Sequence, residues 1–345
     1  FEAKLTVWKG EKIESSRTYD LFSEPYRVKV TSLQSAESVE AVKGSTAAGV
    51  FKVVKVDKRE ARRRPPPPFT TSTLQQSASQ KIYFVAERTM RIAQSLYEGI
   101  DLGGEDHVGL ITYMRTDSLS IAKSASAEAA QYIGEKYGSA HKPETPPQYQ
   151  TKSKGAQEAH EAIRPTSVLR TPKEMKKLLE PDQAKLYELI WKRFVASQMT
   201  DAVYDTVAVD VQSGDALFHA TGRTLKFDGF LKVYAEKAEE AGEEGQEEDE
   251  DDSERGLPAL SEGDVLKLVE LKPEEHQTSP PPYYNEASLI RAMEKHGIGR
   301  PSTYAPTIKT IVNRGYVRRN LKDRKLIPSD MGILVTEQLK KHFPE

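Results

Sequence analysis

Cysteine is absent from the 345-residue chain. That excludes disulfides, cysteine-ligated zinc and thiol catalysis. The chain also lacks a secretory leader and any apolar run long enough to span a bilayer. No initiator methionine is present: Phe1 opens inside the strand-like "FEAKLTVW", and the chain stops at "KKHFPE". These absences read as a piece cut from a longer soluble, cytoplasmic protein with no membrane contact.

Net charge is small, −2, but unevenly placed. Residues 236–255, "EKAEEAGEEGQEEDEDDSER", hold twelve acidic and two basic residues, and the rest of the chain holds 48 basic and 40 acidic, a net of +8. The acidic run has no large apolar side chain to bury and is expected to be a disordered insertion. The basic body suits a polyanion such as nucleic acid.

The length implies two or three domains. From 1 to about 60, runs such as "YRVKVTSL" and "GVFKVVKVDKRE" alternate apolar and polar residues as half-wet strands do. "RRRPPPPF" (62–69) then interrupts regular structure and reads as a stiff connector. "AERTMRIAQSLYEG" predicts a helix with Met90, Ala93, Leu96 and Tyr97 on one face and Gly99 at its end. "TDSLSIAKSASAEAAQYIGEKYG" predicts another, capped by Thr116 or Asp117. Two more helices meet at Pro181. Strands return over 203–235 and in "DVLKLVELKPEEH", and 283–345 is helical with a basic hairpin. The order is β, α, β, then α.

Three stretches carry chemistry. "GLITYMRTDS" (109–118) ends an apolar run at Tyr113, and in an extended segment Tyr113 and Arg115 point the same way. Asp117 follows near an expected helix start, where free N–H groups favour an anion. A phenol attacking a phosphodiester forms a phosphotyrosine ester that retains the bond energy for resealing. A free phenol ionises near pH ~10, so it needs a cation or base, and the Arg115 fork matches phosphate oxygens. On spacing alone, a strand-end tyrosine is more often a packing residue. "AQEAHEAIRPT" (156–166) places His160 and Arg164 four apart, on one face if helical, suited to binding phosphate and moving a proton. With arginine where a second histidine would stand, a zinc-protease reading fails. "NEASLIRAMEKHGIGRPSTYAPTIKTIVNRGYVRR" (285–319) reads as helix, glycine turn, helix and wing, with Arg300, Ser302 and Thr303 at the second helix start.

Together, "PPPPFTTSTLQQ", "LYEG…GLITYMRTDS", "QEAHEAIRPT" and "EASLIRAMEKHGIGRPSTYAPTIKTIVNRGYV" resemble the bacterial type IA DNA topoisomerases, in family order. The resemblance implies a multi-domain α+β fold, part of the family's toroid. A β-rich arch (1–68 with 201–282) would be interrupted by a helical domain (69–200) bearing the tyrosine. A partial helical, winged-helix-like DNA-groove domain (283–345) would follow. It implies Tyr113 as nucleophile, forming a 5′-phosphotyrosine and leaving a 3′ hydroxyl, then strand passage and resealing without ATP. Arg115 would stabilise the scissile phosphate, Asp117 match the acid beside it, and His160 assist cleavage. Arg164, Arg300, Ser302 and Thr303 would grip DNA. The implied partners are single-stranded and negatively supercoiled DNA, met by a nucleoid-associated monomer. The family's Mg²⁺ ligands and catalytic glutamate would lie in an amino-terminal domain upstream of Phe1, so no metal ligand is expected here and the chain alone should not complete a relaxation cycle. Two rival readings are a non-catalytic single-strand binder, stacking bases on aromatics such as Tyr304, and a winged-helix duplex reader.

Overall fold

Apolar alternation in "FKVVKV" and "YDTVAVDVQ" produces long antiparallel strands in the computed structural model, which describes residues 1–21, 25–103, 107–150, 160–234, 256–320 and 322–343. The acidic run 236–255 lies outside the described residues. Two units result. The first comprises Phe1–Arg63, Ala202–Asp228 and Lys237–Pro282; the second comprises Arg64–Asp201, Gly229–Glu236 and Tyr283–Glu345.

In the first unit, the elements are β1 (Lys4–Trp8), β2 (Glu11–Lys12), β3 (Glu14–Asp20), β4 (Pro25–Thr31), α1 (Ala36–Thr46), β5 (Phe51–Arg63), β6 (Ala202–Ser213), β7 (Ala216–Phe227) and β8 (Val265–Leu266). An antiparallel sheet runs β2-β1-β7-β6-β5-β8, and β3 and β4 form a separate hairpin. Phe51, Val53, Val209, Val211, Ala216 and Phe218 bury one end of the long strands, with the Phe51 and Phe218 rings 5.6 Å apart. At the other end Arg63 pairs with Ala202, so the chain departs and returns on neighbouring strands. This explains the β, α, β order. Only Val265 and Leu266 of "DVLKLVELKPEEH" are strand, paired with Lys52 and Phe51 of β5.

The second unit holds α2 (Thr71–Lys81), α3 (Ala86–Glu98), α4 (Lys123–Tyr137), α5 (Pro172–Met175), α6 (Pro181–Ser197), α7 (Glu286–Lys295), α8 (Tyr304–Asn313), β9 (Val317–Arg319), β10 (Leu326–Pro328) and α9 (Asp330–His342). Residues 283–343, set apart by sequence as a third domain, fall in this same unit. Helix α6 is its axis: Leu186, Ile190, Phe194 and Val195 are buried, and the Trp191 indole donates to the Val168 carbonyl at 3.0 Å. Glu286, at the start of α7, accepts from the Ala86 N–H at 2.8 Å and pairs with Arg319 of β9. It thereby caps α3, whose own cap residue Val85 offers no side-chain acceptor. Gly297 (φ 68°) closes α7, with the Ile298 N–H reaching back to the Met293 carbonyl at 2.8 Å.

The boundary between the two units falls at Arg63 and Arg64, just before the prolines, and the run is packed: Pro65 and Pro68 are buried, and Arg193 donates to the Pro67 carbonyl at 2.7 Å. Two expectations need correction. The helix expected from Thr116 or Asp117 begins only at Lys123. Before it, Thr116 and Ser118 side chains accept from the N–H two residues on, at 3.0 and 3.1 Å, holding the backbone out of a helix. Residues 160–165 are not helical either. Their backbone is engaged elsewhere: the Ala162 N–H donates to Ser120, Ile163 to Phe69 and Thr166 to Leu110, each at 2.8–2.9 Å.

Candidate active site

Tyr113 and Arg115 are exposed while Met114 and Thr116 between and after them are buried, the alternation of an extended segment. No regular strand forms here; the segment is pinned from two sides instead. The Thr71 hydroxyl, at the start of α2, donates to the Met114 carbonyl at 2.7 Å and accepts from the Thr116 N–H at 2.8 Å. The Thr112 N–H donates to the Arg164 carbonyl at 2.9 Å, and the Thr112 hydroxyl to the Ala162 carbonyl at 2.7 Å. The second pair ties the histidine stretch to the tyrosine stretch. It brings His160 and Tyr113 together, with ring centroids 5.7 Å apart.

The other side of Tyr113 is held by Tyr97, which meets it edge-on at 5.4 Å and 65°. Tyr97 is 40% exposed and Tyr113 37%. Sequence periodicity put Tyr97 on the buried stripe of α3, but only Ala93 and Leu96 of that stripe are fully buried. Gly109 allows the close approach: a Cβ there would stand 2.8 Å from the Tyr97 carbonyl oxygen. Beside these rings lies a groove of about 610 Å³, lined by Met90, Arg91, Gln94, Ser95, Glu98, Tyr113 and Arg115. Arg115 has no ion pair or hydrogen bond among the described residues, so its fork is free for an anion.

The remaining expected site residues divide. The Arg164 fork is engaged within the protein. Its side chain, 11% exposed, is engaged by Glu161 at 2.7 Å and by the Pro165 carbonyl at 3.0 Å. Asp117 stands not at a helix start but within electrostatic reach of Glu294 and Tyr304. Burial, chiefly, raises the Glu294 carboxyl above its usual range; a Ser72 hydrogen bond opposes this, the Asp117 charge adds to it, and Arg291 opposes it. Glu294 is exposed as a residue, yet enough protein crowds its carboxyl for desolvation to lead.

Thr303 occupies the cap position of α8, but its hydroxyl accepts from the Arg300 N–H at 2.8 Å instead of bonding into the helix. Arg300 and Ser302 are exposed beside it. Tyr304, expected from sequence to stack on bases, is 6% exposed and packs against Ala86, Ile290, Met293 and Ile308, so it offers no ring to a base. Sequence reasoning passed over Arg91, Tyr97, Thr71 and Glu294 as site residues. Thr71, Tyr97 and Glu294 lie inside the stretches that carry the family resemblance, though none was singled out there; Arg91 lies in none of them.

Among the described residues no three His, Asp or Glu side chains converge to hold a metal ion, and no helix is long and apolar enough to cross a membrane. The family described as DNA topoisomerase matches residues 8–345. Full-length topoisomerase I from Thermotoga maritima is similar in structure, with a TM-score of 0.78 and 36% identity over 96% of this chain. The match spans 52% of the Thermotoga chain, about half its length. The two pinned stretches that carry Tyr113 and His160, and the helix pair ending in the basic hairpin, all fall inside the family match, and the chain belongs to the type IA DNA topoisomerases.

Proposed function

We propose that this chain carries the strand-cleaving centre of a type IA DNA topoisomerase, with Tyr113 as nucleophile. The observation that carries the reading is an exposed phenol with the His160 and Tyr97 rings beside it, in one groove with Arg115, which has no ion pair or hydrogen bond among the described residues. The Tyr113 oxygen attacks a backbone phosphorus, the bond from phosphorus to the 3′ oxygen breaks, and the 5′ phosphate stays on the tyrosine. The phenol proton leaves as the bond forms, and the departing 3′ oxygen takes one up. His160 is the nearby group able to move a proton at neutral pH. Arg115 offers two N–H donors to the phosphate oxygens, whose charge grows in the transition state. The freed 3′ hydroxyl then reverses the exchange after a second strand has passed, without ATP.

Asp117 acts through the carboxylate and tyrosine groups it faces, not on the phosphate directly. Arg300, Ser302 and Thr303 contact the single strand leading to the break. Arg164, committed to Glu161, holds the His160 stretch. Part of a toroid, with the first unit as its arch, is the arrangement this reading takes from the family. Mg²⁺ would be held by carboxylates of an amino-terminal domain. The described residues do not assemble a site for it.

The test supplies the chain with that amino-terminal domain, Mg²⁺ and end-labelled single-stranded DNA, then denatures the mixture. Labelled DNA should stay attached to the parent and be lost with Tyr113→Phe. Equal attachment in both would remove Tyr113 from the chemistry.

A further inference from the structure

Helix α3 carries a charged side that the cleavage chemistry leaves unused. Arg91, Gln94, Ser95 and Glu98 recur at three- and four-residue steps, so they share one side of the helix. That side forms the groove shared with Tyr113 and Arg115. The other charged residues of α3 are matched: Glu87 with Lys309, Arg88 with Asp182, and Glu98 with the Gln94 amide. Arg91 is exposed and has no such partner among the described residues. One helix therefore leaves a single guanidinium unmatched, and it is the one in the groove of the proposed nucleophile.

We propose that Arg91 is a second phosphate grip, holding the single strand at a phosphate next to the one Tyr113 attacks. This rests on the cleavage reading. Charge complementarity favours a nucleic-acid backbone as occupant: two guanidiniums with no partner among the described residues, Arg91 and Arg115, line one cleft, and each matches phosphate oxygens bidentately. The stretch of α3 from Arg91 to Glu98 extends about 10 Å along the helix, while a stacked strand advances roughly 3.4 Å per nucleotide. The side thus has room for flanking nucleotides. Its polarity orients them. Glu98 repels phosphate, so the backbone lies at the Arg91 end and bases turn toward Met90 and the Gln94–Glu98 pair.

The experiment titrates single-stranded DNA against the chain and its Arg91→Ala and Arg91→Lys variants at several salt concentrations. Each oligonucleotide carries one uncharged methylphosphonate at a different position. Arg91→Ala should weaken binding roughly tenfold and lower the salt slope by about one, with Arg91→Lys recovering most of both. Neutralising one flanking phosphate should weaken the parent and leave Arg91→Ala unaffected. Parent-like affinity and slope in Arg91→Ala, or an equal loss at every phosphate position, would overturn the grip, as would absence of binding by the parent. The series involves no bond cleavage. A missing Tyr113 adduct would therefore sink the cleavage reading alone, and a parent-like Arg91→Ala the grip alone.

Discussion

A phenol becomes a useful nucleophile where its oxygen meets both an electrophile and a group that stabilises the charge formed. At Tyr113 the proposed stabilising group is Arg115, two residues away on the same exposed side. Arg115→Ala should lower covalent attachment about 100-fold or more, as loss of a transition-state donor does, with binding of the same oligonucleotide falling far less. An equal fall in both would make Arg115 a simple grip. Glu294 gives a second prediction. Burial, with Asp117 adding to it, raises its carboxyl, so the folded chain keeps a proton that the unfolded chain releases at lower pH. Stability therefore falls as pH rises from the ordinary carboxyl range through the raised value. Glu294→Gln should raise the Tm at pH 7, with the gain gone below pH ~4; a lower Tm at pH 7 would show that the carboxylate is needed as a partner. Tyr113, Arg115 and His160 were named because the motifs that hold them resemble the family's in order; on spacing alone Tyr113 reads as a packing residue. Tyr97 and Glu294 were not. Their roles depend on which residues the fold sets opposite them, and a helical period assigned Tyr97 to the core.

Among elements, the site is held by side chains that bond to backbone. Thr71 is fully buried and serves both the Met114 carbonyl and the Thr116 N–H. Thr71→Val keeps the shape and strands those groups, costing roughly 1–3 kcal/mol. Denaturant unfolding should show that loss, together with reduced attachment at Tyr113. An unchanged midpoint would mean water replaces the hydroxyl. Glu286 does comparable work for α3, meeting its first N–H where the helix dipole favours an anion. The helices α3, α6, α7 and α8 were legible from periodicity and from proline and glycine punctuation. The helix start expected at 116 was misread, and residues 160–165, whose His160 and Arg164 would share a face if helical, form no helix, because serine and threonine side chains, and hydrogen bonds from residues distant in sequence, claim those backbones. Nothing local in the sequence announces such partners.

For the whole molecule, the basic excess outside the acidic run predicts a grip on nucleic acid that weakens steeply with salt. Affinity for oligonucleotides should fall linearly on a log–log salt plot and favour single strands over duplex. Salt-independent binding, or preference for duplex, would contradict a backbone grip leading to Tyr113. The interrupted β unit was legible in sequence as strands that stop and resume, and Arg63 pairing with Ala202 is its structural counterpart. The central claim is that one particular hydroxyl takes the phosphate, and Tyr97, equally exposed at 5.4 Å, is the natural rival. The direct measurement digests the denatured protein–DNA adduct and locates the nucleotide by mass spectrometry. The nucleotide should lie on the peptide containing Tyr113, with the tyrosine bearing a 5′ phosphate; a nucleotide on Tyr97, or on any other residue, would remove Tyr113 as the nucleophile.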